Sequence, residues 1–346
     1  MPVENEAENE AEKEESLYVG IDLGTSRSAV STSRGNRKWV ESYVGWPKDF
    51  VARKLLGERV LFGEEALAHR LSLILCRPLE HGVIREGTEK NEESVMELIG
   101  HLIRLAEPKS GDKLYTAIGV PAEAQRVNKN AIRKALTNYS EKLIIVSEPF
   151  AVAYGLNALD NAMVIDIGAG TVDFCIMHGA VPTEDEEKSL LTAGDSVDQK
   201  LFDLLSEKYP DANFTLTMVR RYKEKFAFVG NIQKKAEVEV PVQGKMLKYD
   251  ISKEIKVACE SIVPAMAEMA MGMIARFDPE FQAKVRNNIV LAGGGSQIEG
   301  LKDYLREAML ELAPCEFTCV DEPLYCGSDG ALALAQEMPE EYWAKL

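Results

Sequence analysis

Two segments of the chain share one pattern of apolar and polar positions. Residues 17–32 run from a short apolar stretch through a polar, glycine-bearing turn into a second apolar stretch, and residues 162–177 repeat that order. Each segment predicts two strands joined by a tight turn. An Asp-x-Gly triplet stands at the same point of both, beginning at Asp22 and, 144 positions later, at Asp166. We therefore predict two similar lobes, each presenting one hairpin.

The rest of the chain alternates between two kinds of pattern. Apolar positions spaced three and four apart predict amphipathic helices, whereas short apolar runs predict buried strands. The predicted helices cover residues 92–105, 124–139, 150–156 and 298–312. The predicted strands cover residues 114–120, 143–146 and 289–292. Because strand and helix alternate, the predicted fold class is α/β with mixed sheets.

The charge of the chain limits its partners. A formal net charge of −16 over 346 residues argues against nucleic acid or an anionic membrane as the main partner, because both repel an acidic surface. No apolar stretch of about 18 residues predicts a membrane span, and no signal peptide is evident. Six scattered cysteines are typical of reduced thiols in a cytoplasm. Residues 1–16 predict a disordered acidic tail, with a marginal solvent-exposed helix as the alternative.

The two glycine-bearing turns are candidate phosphate sites. Glycine lets the backbone approach a ligand closely, and successive N–H groups in a turn form a nest for an anion. A single turn of this kind is more often structural, so the repetition carries the prediction. The first turn offers Gly24, Thr25 and Ser26, and the second offers Gly168, Ala169, Gly170 and Thr171.

The aspartates ahead of these turns are candidate metal ligands. Carboxylates favour hard cations such as Mg²⁺, which usually keeps several of its waters. One aspartate in such a place would more simply cap its own turn. Two in matching positions favour Mg²⁺ held by Asp22 and Asp166, mostly through water.

A third glycine-rich turn follows the predicted strand at 289–292. Three glycines permit a flat ligand to lie against the backbone, so the turn is a plausible seat for a nucleoside, with a flexible connection as an equal alternative. It comprises Gly293, Gly294, Gly295 and Ser296. The chain contains no G-x-x-x-x-G-K-[ST] phosphate loop.

These three turns, in this order, resemble those of the actin, Hsp70 and sugar-kinase superfamily. Residues 77–84 and 327–331 are similar to actin segments that connect its domains, and residues 223–230 resemble the actin helix whose Lys–Glu pair lines the adenosine. The resemblance therefore implies that Lys223 and Glu224 contact the nucleoside.

Residues 147–155 and several shorter segments narrow the resemblance to the MreB/MamK branch of bacterial actins. The Glu-Pro element at 147–155 matches the MreB-like branch, and residues 44–49, 226–230 and 338–343 look like its magnetosome-associated member. In that branch the glutamate of the Glu-Pro element orients the hydrolytic water, which implies a catalytic role for Glu148 beside the metal-binding Asp166. A carboxylate near the terminal phosphate is chemically suited to that task. The alternative is a glutamate that only interacts with the dipole at a helix N-terminus.

The resemblance implies a duplicated, ribonuclease H-like ATPase fold with four subdomains around a central nucleotide cleft. Subdomain IA would comprise residues 17–42, 80–147 and 326–346, and IB residues 43–79. Subdomain IIA would comprise residues 148–195 and 253–325, and IIB residues 196–252. The implied cofactors are ATP or ADP with Mg²⁺.

The resemblance also implies an assembly. It would be a cytoplasmic, head-to-tail filament, parallel and two-stranded, that hydrolyses ATP and organises magnetosomes through magnetosome-associated proteins. A cell-shape or plasmid-segregating filament stays open as an alternative. A sugar or acetate kinase would share both phosphate turns but would need an acceptor pocket and a general base. An Hsp70-type chaperone would need a peptide-binding domain, and an FtsA-like adaptor would need an amphipathic C-terminal helix.

Overall fold

The computed structural model describes residues 16–84, 89–311 and 313–343. The predicted acidic tail lies outside these residues, apart from Ser16, which begins the first strand.

The described residues of the first half of the chain form ten strands and four α-helices. In chain order they are β1 (Ser16–Leu23), β2 (Arg27–Thr32), β3 (Arg37–Glu41), β4 (Val44–Pro47), α1 (Phe50–Leu56), β5 (Leu61–Phe62), α2 (Gly63–Ala68), a 3₁₀ turn (Arg70–Ser72), β6 (Leu73–Cys76), β7 (Leu79–Glu80), β8 (Val83–Ile84), α3 (Glu89–Leu105), β9 (Lys113–Val120), α4 (Ala122–Leu136) and β10 (Lys142–Ser147).

In the second half, the part that the structure describes forms seven strands and eight α-helices. They are α5 (Glu148–Gly155), β11 (Asp160–Ile167), β12 (Val172–His178), β13 (Glu187–Leu190), α6 (Gly194–Lys208), α7 (Leu216–Phe226), β14 (Glu237–Val242), β15 (Lys245–Asp250), α8 (Ser252–Glu260), α9 (Val263–Arg276), α10 (Gln282–Arg286), β16 (Ile289–Ala292), a 3₁₀ turn (Gly294–Gln297), α11 (Leu301–Ala308), β17 (Phe317–Cys319), α12 (Cys326–Glu337) and a 3₁₀ turn (Glu340–Tyr342).

Two five-stranded sheets share one topology, and each is the centre of one lobe. The first has the order β3-β2-β1-β9-β10 and the second the order β13-β12-β11-β16-β17. In each sheet the two hairpin strands are antiparallel, and the second of them pairs antiparallel with an edge strand. On the other side, the first hairpin strand has a parallel neighbour, which pairs in parallel with the opposite edge strand. The predicted α/β class and duplicated lobes are confirmed.

Smaller sheets lie outside this duplicated frame. Strands β5, β4 and β6 form a three-stranded sheet, β7 pairs with β8, and β14 pairs with β15. Each is inserted between elements of a main sheet. The subdomain boundaries proposed from the sequence place β4–β6 in IB and the β14–β15 hairpin in IIB.

The predicted elements form, with shifted ends. The helix predicted from residue 150 begins at Glu148, because the Ser147 hydroxyl caps it by accepting from the Phe150 N–H. For the helix predicted at 298–312, the predicted first residue is wrong. The helix begins only at Leu301, after Gly300 with a φ of 84°, where the left-handed backbone interrupts any helix.

One helical stretch, 252–276, is long and apolar enough to cross a membrane by length and composition, contrary to the expectation from the sequence. Half of its most apolar window is buried inside the protein. In α9, which forms its second part, the apolar residues pack into the core of the second lobe. The buried members are Val263, Met266, Ala267, Ala270, Met273 and Ile274. The stretch is therefore a core element.

Helix α12 packs against both β1 and α5, with backbone touching backbone. A Cβ on Gly330 would overlap the Ala151 carbonyl oxygen, and one on Gly155 would lie 2.7 Å from the Gly330 Cα. On the other side, a Cβ on Gly20 would lie 2.7 Å from the Leu332 Cα. These glycines are required for the close approach that joins the lobes.

We expect Gly330→Ala to destabilise the protein, because the new methyl group must push α12 away from α5. Overpacking of this kind lowers the free energy of unfolding by about 1–3 kcal/mol. The control is Gly272→Ala in α9, where nothing lies within 4 Å of the added Cβ. That change should be neutral or stabilising by up to about 1 kcal/mol, since alanine is the better helix former. Urea unfolding of the two variants measures the difference, and equal effects would refute the packing argument.

Candidate functional site

A cavity of about 710 Å³ is lined by residues of both main sheets and of the loops between them. The carboxyl ends of parallel strands meet at one edge of a sheet. In the first sheet, Asp22 lies near the end of β1 and Glu148 directly follows β10. In the second sheet, Asp166 lies near the end of β11 and Gly293 directly follows β16. The duplicated topology therefore brings residues that are far apart in sequence to a single cleft.

Most of the residues predicted from the sequence line this cavity. Those that do are Asp22, Gly24, Thr25, Ser26, Glu148, Asp166, Gly168, Ala169, Thr171, Lys223, Glu224, Gly293, Gly294 and Gly295. Two predicted residues lie outside the lining. Gly170 packs against the first turn, where a Cβ would lie 2.5 Å from the Thr25 Oγ1. The Ser296 hydroxyl donates to the Gly293 carbonyl at 2.7 Å and closes its own turn.

Serine side chains brace the first turn from behind. The Ser42 hydroxyl donates to the Gly24 carbonyl at 2.7 Å, and it lies 2.9 Å from the Ser28 hydroxyl. The Gly24 carbonyl therefore has its hydrogen-bond partner within the protein. The arrangement leaves the N–H side of the turn for a ligand.

The second turn is tied to the start of α6. The Gly168 N–H donates to the Thr171 carbonyl at 2.9 Å, and the Asp195 N–H donates to the Ala169 carbonyl at 2.7 Å. Gly194, the first residue of α6, lines the cavity. A helix N-terminus adds partial positive charge at the place predicted for phosphate.

The third turn requires a glycine next to Asp166. Gly293 has a φ of 70°, which favours glycine, and a Cβ there would lie 2.6 Å from the Ile167 carbonyl oxygen and closer still to the Asp166 carboxylate. The turn therefore packs directly on the end of β11.

Three carboxylates share the floor of the cavity. Burial raises the pKa of Asp22 to about 7, against the effect of a hydrogen bond with Glu148. Burial and the charges of Asp22 and Asp166 raise the pKa of Glu148 well above its usual value. Burial and the charge of Asp22 do the same for the pKa of Asp166. Burial, and for Glu148 and Asp166 also the charges of their neighbours, therefore favours the protonated forms of these groups.

This cluster fits a hydrated cation better than a directly ligated one. Among the described residues, no three His, Cys, Asp or Glu side chains are arranged to hold a metal ion directly. The buried Oε1 of Glu148 has no hydrogen-bond partner. A cation with its own waters would supply both the missing donors and the missing positive charge.

The two residues implied to contact the nucleoside are already engaged. The Lys223 ammonium donates to the Gly194 carbonyl at 2.8 Å and pairs with Asp198 at 2.8 Å. Glu224 pairs with Arg27 of the opposite lobe at 2.8 Å. Both side chains therefore line the cavity with their orientation fixed.

Further lining residues were not predicted from the sequence. They are Arg27, Ser28, Ala29, Pro121, Ile167, Gly194, Val197, Arg220, Lys225, Ala227, Lys234, Ile262, Gln297, Ile298, Glu299, Pro323 and Leu324. Only Gly194 carried a local signal, since an Ala-Gly-Asp sequence before an amphipathic segment is typical of a helix start. The others lie in strands, helices and loops that only the fold brings together.

Comparison with known proteins decides the family. The family model described as MreB/Mbl protein matches residues 16–341. The chain belongs to the MreB/Mbl family. This MreB/Mbl protein is 39% identical to the actin-like protein MamK of Paramagnetospirillum magneticum over 98% of each chain. It is also 39% identical to MamK of Magnetospirillum gryphiswaldense, covering 98% of this chain and 94% of that one.

Solved structures agree with this family. A MamK double helical filament matches with a TM-score of 0.90 and 39% identity, covering 94% of this chain and 100% of that chain. A non-polymerising MamK mutant bound to AMPPNP matches with a TM-score of 0.73 and 38% identity, over the same coverage. The predicted membership of the MreB/MamK branch is confirmed.

The carboxylate cluster predicts how stability depends on pH without nucleotide or metal. The unfolded chain loses the Asp22 proton near pH 4, whereas the folded protein keeps it up to about pH 7. Between about pH 4 and pH 7 the folded state therefore binds more protons than the unfolded state, so the free energy of unfolding falls as pH rises. Above about pH 7 this group no longer makes stability depend on pH.

We therefore expect Asp22→Asn to raise the melting temperature in EDTA by about 3 °C at pH 8 and to change it little at pH 5. The exposed carboxylate of Asp211 gives the control, and Asp211→Asn should show no such contrast. Thermal melts at both pH values provide the measurement. An equal shift at pH 5 and pH 8 would contradict the assignment of the raised pKa to Asp22.

Proposed function

We propose that this protein binds ATP in the cleft, assembles into filaments and hydrolyses the nucleotide as it does so. The observation that carries the proposal is the meeting of two glycine turns, from opposite lobes, at one cavity floored by Asp22, Glu148 and Asp166. Phosphates and a cation need those two kinds of partner together. The AMPPNP bound by a relative 38% identical to this chain supports an adenine nucleotide.

We assign the parts of the cleft by their chemistry. The turns at 24–26 and 168–171, with the N-terminus of α6, would hold the phosphates. Gly293–Gly295 with Lys223 and Glu224 would hold the nucleoside. Mg²⁺, bound through water to Asp22 and Asp166, would neutralise charge on the phosphates when present. The residues of the chain orient these groups and exclude bulk solvent.

Glu148 is the residue that we assign to the hydrolytic water. It begins α5, and its position is fixed because Ser147 caps that helix. Its buried, unpartnered Oε1 is free to accept a hydrogen bond from water. A glutamate serving only the helix dipole would not need to lie with two other carboxylates on the floor of the cavity.

We expect Glu148→Ala to bind ATP and assemble, but to release phosphate at least about 100-fold more slowly, since water loses its positioning group. Filaments should then persist longer. The exposed Glu141, just before β10, gives the matched control, and Glu141→Ala should keep the wild-type rate. Phosphate release and light scattering on the same samples separate hydrolysis from assembly. A wild-type rate in Glu148→Ala would remove this residue from the mechanism.

For assembly, we propose head-to-tail, parallel two-stranded filaments in which one subunit's small sheet β5-β4-β6 meets the base of the next. The double helical filament of a relative supports self-association. On this side of the molecule, helix α1 and the segment after α2 expose large apolar side chains. Phe50 is 81% exposed, Leu71 79% and Leu55 70%. Exposed apolar groups so close in sequence are typical of a contact surface.

We expect Phe50→Asp to raise the critical concentration for assembly about tenfold or more, as for a buried aromatic contact. An aspartate in the first turn of α1 suits the helix, so folding and nucleotide binding should not change. Phe50→Leu keeps an apolar side chain and serves as the control. Sedimentation with ATP across a concentration series gives the critical concentration of each variant. Assembly of Phe50→Asp at the wild-type concentration would exclude α1 from the interface.

As for cargo, we propose that the filaments lie in the cytoplasm and organise magnetosomes into chains, through magnetosome-associated proteins. The similarity to MamK of two species supports this. Co-sedimentation of purified filaments with isolated magnetosomes tests it, with stripped magnetosome lipid as the comparison. Absence of binding to intact magnetosomes would favour another cargo.

A further inference from the structure

A continuous set of contacts joins the two phosphate turns. The Arg77 Nε donates to the Thr25 carbonyl in the first turn at 3.0 Å. The other guanidinium nitrogens of Arg77 reach both oxygens of the Asp195 carboxylate, at 2.8 and 3.2 Å. The Asp195 N–H donates in turn to the Ala169 carbonyl of the second turn at 2.7 Å. Arg77 and Asp195 are thus a bridge between opposite lobes.

A second link crosses between the lobes beside this bridge. Arg220 of α7 donates to the same Asp195 carboxylate at 3.1 Å, and to the Tyr43 hydroxyl of the first lobe at 2.7 Å. Asp198 orients Arg220 from the other side at 3.1 Å. The Arg77 guanidinium also lies 6.0 Å from the centre of the Tyr43 ring. We call Tyr43, Arg77, Asp195 and Arg220 the clasp.

The clasp differs from an ordinary surface ion pair in two respects. Its Arg77 and Asp195 side chains are only 20% and 24% exposed, so solvent screens the pair less than a surface pair. It also lies where the two turns touch, since a Cβ on Gly170 would lie 3.0 Å from the Thr25 Cγ2. By contrast, the Arg27–Glu224 pair across the same cleft is 38% and 39% exposed.

We propose that Arg77 and Asp195 are positioning residues that set the separation of the two phosphate turns and thereby govern how long nucleotide stays bound. The inference rests on the proposed function of the cleft. A ligand held between the lobes leaves when they separate, and separation must break the contacts of the clasp. Nucleotide that draws the turns together favours the clasp, and the clasp favours bound nucleotide to the same degree.

The geometry of Arg77 makes a conservative substitution informative. Arg77 uses the planar guanidinium to meet a carbonyl on one side and a carboxylate, with two nitrogens, on the other. Lysine keeps the charge but has a single ammonium group, which cannot make this set of contacts. Arg77→Lys therefore removes the bridge while leaving the electrostatics of the cleft nearly unchanged.

The experiment measures the dissociation rate of a fluorescent ATP analogue chased with excess ATP, below the concentration at which filaments form. We expect Arg77→Lys and Asp195→Asn each to raise that rate about tenfold, a typical strength of coupling between linked elements. The double variant should raise the rate by less than the product of the two single effects, because the two changes share the Arg77–Asp195 contact. Single-turnover hydrolysis at saturating ATP should change less than the dissociation rate.

The matched control is Arg34→Lys. Arg34 also forms a two-nitrogen pair, with Asp112 at 2.6 and 2.7 Å, but both residues belong to the first lobe. This variant should release nucleotide at the wild-type rate. Rates within twofold of wild type for Arg77→Lys would overturn the inference. Thermal melts check that each variant is folded. If Asp195→Asn does not fold, the dissociation rate of Arg77→Lys alone tests the inference.

A second measurement separates this inference from the proposed function. Hydrogen exchange of the turns at 24–26 and 168–171 is compared in nucleotide-free wild type, Arg77→Lys and Arg34→Lys. The clasp predicts faster exchange only in Arg77→Lys, and unchanged exchange would refute it. If wild-type protein took up no adenine nucleotide, the proposed function would fail, whereas this comparison would still decide whether the clasp holds the turns together.

Discussion

The burial of three carboxylates, Asp22, Glu148 and Asp166, in one place is the constraint around which the cleft is organised. Buried carboxylates are unfavourable when ionised, and burial is the main reason why the pKa values of all three are raised. Two large sheets and a closely packed helix hold them there against that cost. The arrangement makes chemical sense once positive charge enters the cleft, and it explains why ligand binding and lobe position belong together.

Strands and a closely packed helix hold the carboxylates together, and polar contacts between the lobes lie around them. Strands β1, β10 and β11 end at the cluster, and α12 packs on β1 and α5 through glycines. The contacts that join the lobes on the open side of the cleft are polar instead. Hydrogen bonds and ion pairs of that kind can form and break with the occupancy of the site, whereas backbone-to-backbone packing cannot.

The sequence alone predicted the duplicated α/β class and the cleft residues that lie at strand ends. Asp22 and Asp166 were recognisable because a short apolar run, an aspartate and a glycine turn repeat with little change. The clasp was not recognisable. Arg77 and Asp195 lie 118 positions apart, and no local pattern links an arginine after one strand to an aspartate at a helix start.

Short elements escaped prediction for a related reason. Strands β5, β7 and β8 contain two residues each, too few to show alternation, and their pairing depends on partners elsewhere. Helix α11 begins late because Gly300 takes a left-handed backbone that the apolar spacing does not reveal. Likewise, Ser296 and Gly170 look like ligand contacts in the sequence, although in the fold they support the turns from within.

Gly293 carries a consequence for how such a chain can change over generations. Any side chain at this position would press on the Asp166 carboxylate and on the Ile167 carbonyl. The turn that we propose for the nucleoside and the strand that ends at Asp166 therefore cannot change independently, because a side chain at position 293 would disturb both. New ligand preferences in this lineage must arise from the helices around the cleft, such as α7, where replacement leaves the floor intact.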